Sequence, residues 1–97
     1  MTKEYIGIKQ FTSNEARYKL IIQIKIPKLD IPAFCKVCAG FKSRGIYTEV
    51  FQDNKVVSGS SMLGLAMLDE DEPMYLMTRQ YMSDDDIGLI QQWIMGE

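Results

Sequence analysis

From residue 18 to residue 26 the chain alternates. Tyr18, Leu20, Ile22, Ile24 and Ile26 take one side, and Lys19, Gln23 and Lys25 take the other. A period of two, rich in β-branched residues, fits a half-buried strand. Pro27 ends it, because proline has no N–H to give a ladder. Such a strand must bury its apolar side against another element, and the next segment supplies one. Phe34, Val37, Cys38 and Phe41 recur at i, i+3, i+4 and i+7, the apolar stripe of a helix predicted over residues 32–44. Pro32 suits its first turn. Asp30 is placed to cap it, with its charge favourable at the positive end of the dipole. Lys42 and Arg44 lie near its C-terminus and Gly45 stops it.

The remaining elements follow from local signals. Residues 46–51 and 55–58 read as a hairpin around Asp53 and Asn54, two residue types that tolerate positive φ. Ser60 or Ser61 caps a short, nearly all-apolar helix over residues 62–68. The acidic run 69–72 and Pro73 form a loop, and residues 74–79 form a strand. Ser83 with Asp86 makes a capping box, and Asp84 and Asp85 sit in the first turn where anions are favoured. The last helix is expected to turn Ile87, Ile90 and Ile94 to the core, with Leu89 and Trp93 at the margins. The order β-α-β-β-α-β-α predicts an α+β fold, one antiparallel sheet with helices on one face. Ninety-seven residues, 46% of them apolar, suit one such domain.

Composition narrows the chemistry. The chain has no histidine, which removes the commonest general base, metal ligand and phosphoryl-accepting nitrogen. No apolar run approaches the ~18 residues of a membrane span, and the first residues lack the apolar stretch of a signal peptide. Two cysteines are too few for a disulfide scaffold, so a cytoplasmic setting is expected. The net charge of −2 combines +5 in residues 1–55 with −7 in residues 56–97. The lysines are dispersed along a strand and a helix flank. They form no dense cluster interleaved with aromatics, which argues against nucleic acid.

Three stretches carry a family resemblance. The segment Ile31-Pro32-Ala33-Phe34-Cys35-Lys36-Val37-Cys38-Ala39-Gly40-Phe41 resembles the first helix of the HPr family, the phosphocarrier proteins of the bacterial sugar phosphotransferase system. Asp53-Asn54-Lys55 resembles that family's hairpin turn. Ser61-Met62-Leu63-Gly64-Leu65-Ala66-Met67-Leu68 resembles its regulatory-serine segment. The resemblance spans residues 17–96 and implies an HPr-like open-faced β-sandwich. It divides the chain into an N-terminal extension, residues 1–16, and an HPr-like domain, residues 17–97. The extension, with Tyr5, Ile6, Ile8 and Phe11, is expected to add a strand beside residues 18–26, an exposed edge in such a sheet.

The departures from the family pattern set the functional expectation. The family's phosphoryl-accepting histidine falls on Leu29 or, in a register shifted by one, on Asp30. The arginine beside it becomes Ile31 or Pro32. No catalytic residue, metal or cofactor is therefore expected, and the resemblance implies a non-enzymatic regulatory or protein-interaction module. Its implied partners are phosphotransferase-system enzymes, an HPr-type kinase or a transcription regulator. Ser61 matches the family's regulatory phosphorylation site. The short helix holds no charge, so with Leu65 and Leu68 inward, Met62, Leu63, Ala66 and Met67 are left as a partner surface. Two alternatives stand beside this reading: phosphotransfer through an unorthodox acceptor such as Asp30, and a redox pair at Cys35 and Cys38. Cys38 also lies on the core stripe, where cysteine packs as a small hydrophobe. Monomer and dimer remain open.

Overall fold

The computed structural model describes residues 18–95. The N-terminal extension, and the strand expected from it, lie outside the described residues. Four strands form one antiparallel sheet: β1 (Leu20–Ile24), β2 (Thr48–Gln52), β3 (Lys55–Ser58) and β4 (Met74–Thr78). Their spatial order is β1-β4-β2-β3, so the last strand lies between the first two. Three helices join them: α1 (Ile31–Lys42), α2 (Met62–Ala66) and α3 (Asp84–Ile90). The domain is α+β, with the element order that the periodicities predict.

The register explains the core. Ile22 lies opposite Leu76, which lies opposite Val50, so these three point to the same face. Ile24 and Met74 follow on that face. Phe34, Cys38 and Phe41 of α1, Leu65 of α2, and Ile87 and Ile90 of α3 pack against it. Fully burying one such side chain is worth ~2 kcal/mol, so this layer dominates the stabilisation. Like Thr48, Gln52 is a buried polar residue on the inner side of β2. Its amide donates to the carbonyls of Asp69 and Glu72, and its oxygen accepts from the Asp69 N–H at 2.9 Å. The acidic loop is thereby fastened to the sheet.

Three local expectations change. Asp30 precedes α1 but its side chain makes no cap bond. A 3-10 turn over Lys28–Asp30 runs directly into the helix, so Asp30 already has helical backbone angles (φ −93°, ψ −5°). A capping oxygen needs the extended conformation to swing back over the first turn. Arg44 lies outside α1, which ends at Lys42; Gly45 (φ 86°) turns the chain away. Trp93 is core rather than margin. The α-helix stops at Ile90 and a 3-10 turn, Gln91–Trp93, follows. The tighter turn rotates the indole inward, edge-on to Phe34 at 5.1 Å. Ile94 is then extended, pairs with Ile24 across the outer edge of β1, and is only half-buried.

Candidate functional site

The helix α2 is built by one serine and one glycine. Ser61 is extended (φ −104°, ψ 109°), and its Oγ accepts from the Gly64 N–H at 3.0 Å, a regular N-cap. The Ser60 hydroxyl instead lies 3.0 Å from Ser58 Oγ, so Ser61 is the capping residue. Gly64 lets the helix lie directly on β3. A Cβ there would come within 2.9 Å of the Val57 Cβ.

This seating divides the helix into two sides. Leu65, and Leu68 just beyond the last turn, are buried. Met62, Leu63 and Met67 remain 54%, 82% and 73% exposed, and Ala66 is exposed beside them. The acidic loop, held down by Gln52, leaves these side chains open.

The C-terminal end of α2 is fastened to the turn that precedes α1. Lys28 Nζ donates to the Ala66 and Leu68 carbonyls, both at 2.8 Å, and the Lys28 backbone N–H donates to Glu70 Oε1 at 2.8 Å. A cation on the last carbonyls of a helix is favoured by the dipole. The next residue in that turn, Leu29, is 93% exposed. Sequence reasoning missed this clamp. Its signal was faint, a lysine just after the strand-ending proline.

Leu29 and Asp30, the two positions on which the sequence comparison expected the histidine to fall, have different surroundings. Leu29 projects into solvent and offers no nucleophile. The Asp30 carboxylate is already engaged, accepting the Trp93 indole N–H at 3.0 Å. Cys35 and Cys38 are free and buried. Burial raises both thiols, Cys38 to about 11 against a partly offsetting hydrogen bond with Thr48. That is the direction opposite to a thiol activated for attack. A cleft of about 240 Å³ near Cys38 is walled by Lys42, Thr48, Glu49 and Ser60, and it brings no activated group together.

Charge pairing is concentrated elsewhere, at the junction of α1 and α3. Arg44 reaches Asp86 Oδ1 at 2.8 Å, and Asp86 also completes the capping box with Ser83. Among the described residues no helix is long and apolar enough to cross a membrane. No family model, no curated protein and no solved structure matches this chain.

Proposed function

We propose that this chain is an HPr-like protein that keeps the scaffold as a docking module without relaying phosphoryl groups. The observation that carries the reading is the exposed apolar side of α2, together with the clamp from Lys28. Met62, Leu63 and Met67 stand out on one short helix, and the turn bearing Leu29 is bonded to that helix's last carbonyls. Exposed apolar groups gathered in this way mark contact sites, and methionine adapts to the partner's shape. The strand order β1-β4-β2-β3 with all helices packed against one face supports an HPr-like open-faced sandwich.

The chemistry at the turn supports a non-catalytic role. A phosphoryl relay needs a nucleophile whose partners help charge move on and off it. Leu29 has none, and the Asp30 carboxylate is occupied by an indole donor. The buried, raised thiols favour packing over redox exchange for Cys35 and Cys38. Partners in this reading are proteins: phosphotransferase-system enzymes or a transcription regulator. Ser61 is the point at which an HPr-type kinase would act. A phosphate there adds about two negative charges beside Met62 and Leu63, and so alters what the apolar surface accepts.

The test is a calorimetric titration with the upstream phosphotransferase enzyme and with candidate regulators. The native chain binds at least one of them, and Leu63→Asp weakens that binding at least about tenfold, or ~1.4 kcal/mol. Unchanged binding in Leu63→Asp, or passage of labelled phosphoryl groups from this chain to a permease component, overturns the proposal.

A further inference from the structure

We propose that the exposed side of α2 and the acidic loop after it form one docking surface, whose occupant is a basic amphipathic helix of a partner protein. The inference rests on α2 being a contact surface and goes on to say what fits it. Met62 and Ala66, and likewise Leu63 and Met67, stand four residues apart, so the exposed side presents two short rows. Rows of this spacing are the ridges that seat in the grooves of another helix.

Charge selects which helix. Asp69, Glu70, Asp71 and Glu72 follow Leu68 without a break, and residues 56–78 contain no lysine or arginine. The loop is fixed where it stands. Gln52 binds it from the sheet, the Asp71 N–H donates to Asp69 Oδ1 at 2.9 Å, and Glu70 accepts from the Lys28 N–H. That last bond holds the loop to the turn bearing Leu29, and Lys28 Nζ ties the same turn to the end of α2. The apolar residues and the carboxylates are thus joined through one lysine.

Asp69, Asp71 and Glu72 are exposed, and among the described residues no lysine or arginine forms an ion pair with any of the four acids. A partner that covers Met67 and Leu29 brings its own flank to these carboxylates. Lysine or arginine on that flank is attracted and acids are repelled, which sets the partner's sign. The same charges disfavour two other occupants. A second copy brings a second acidic loop to one small contact, and an anionic lipid surface meets the carboxylates with like charge.

The probes are two helical peptides of about fourteen residues with the same leucine stripe, one flanked by lysines and the other by glutamates. Each is titrated into the native full chain, and the Met62 and Met67 methyl signals report where it sits. The lysine peptide should move both methyls and bind at least about tenfold tighter than the glutamate peptide, an advantage that shrinks as salt screens the charges. Asp71→Asn combined with Glu72→Gln should weaken it about threefold to tenfold, while Asp85→Asn, at the start of α3, should leave it unchanged. Leu63→Asp makes the surface more acidic, so attraction by charge alone would strengthen. The expected result is the reverse, a loss of at least about tenfold. Equal affinity for the two peptides, or no effect of Asp71→Asn with Glu72→Gln, overturns the inference but leaves α2 as a contact surface if its methyls move. Lysine-peptide binding that leaves Met62 and Met67 unmoved and strengthens in Leu63→Asp overturns it and α2 as the surface together. No binding of the lysine peptide, a dimer closed through α2, or retention on phosphatidylglycerol vesicles but not phosphatidylcholine ones overturns the inference as well.

Discussion

Asp86 does two tasks with one carboxylate. One oxygen receives the Arg44 guanidinium at 2.8 Å and the other accepts the Ser83 N–H, joining the end of α1 to the start of α3. The hydrogen bond from Arg44, helped by those from Ser83 and opposed by burial, holds its carboxyl below its ordinary value of 3.8. The folded state therefore binds that proton less tightly than the unfolded state. The stabilisation is present in full above the unfolded value and fades as pH falls through the lower folded one. Asp86→Asn should accordingly lower the urea midpoint at pH 7, and the difference from the native chain should shrink toward pH 3. A difference that stays constant with pH would mean that shape, and not charge, makes the contribution. None of this pairing was legible in the sequence beyond the capping box, because Arg44 and Asp86 lie far apart along the chain. Asp30 misled for a related reason: residue type suggested a cap, but the 3-10 turn before the helix set its backbone and turned the carboxylate to Trp93.

At the scale of elements, periodicity told which side meets the helices, but not that Ile21 and Met77 on the other side of the sheet are also buried. Leu20, Ile22, Ile24 and Ile26 and the stripe of Phe34, Val37, Cys38 and Phe41 lie against the core, with Leu20 and Val37 only half-buried, whereas Tyr18 leaves the alternation and reaches Glu49 on the other face. The sides of α2 were also readable, because a five-residue apolar helix on a sheet has room for only part of its surface inside. What escaped was the last turn, where a change from α to 3-10 winding moved Trp93 into the core. Two glycines make opposite predictions about how elements fit. Gly64→Ala forces a methyl against Val57, whose Cβ is fixed to the backbone of β3. Overpacking of ~1–3 kcal/mol outweighs the ~1 kcal/mol that alanine adds to a helix. A net loss of about 1 kcal/mol should lower Tm by roughly 4–8 °C. Gly88 in α3 has nothing within 4 Å of the added carbon. Gly88→Ala should raise Tm by up to a similar amount, and scanning calorimetry on both variants checks the pair.

For the molecule as a whole, the segment after α3 acts as a clasp. Trp93 packs on Phe34, donates to Asp30, and its carbonyl accepts from Lys25, so one residue touches α1, the turn before it and the edge of β1. It is also the only tryptophan in the chain. Its fluorescence should follow far-UV circular dichroism through urea unfolding with one shared midpoint, as in a two-state domain. A fluorescence change that precedes the loss of secondary structure would mark the clasp as a separately opening unit. The sheet order carries a consequence for biosynthesis. Among the four described strands, the inner strand β4 is the last to be made, and it is the one with which β1 pairs. As the nascent polypeptide leaves the ribosome, the β2–β3 hairpin can close at once. The isoleucines of β1 must wait some fifty residues for their partner to emerge. Such a chain offers chaperones a sticky, unzipped strand until β4 emerges, and then completes its sheet in a single step.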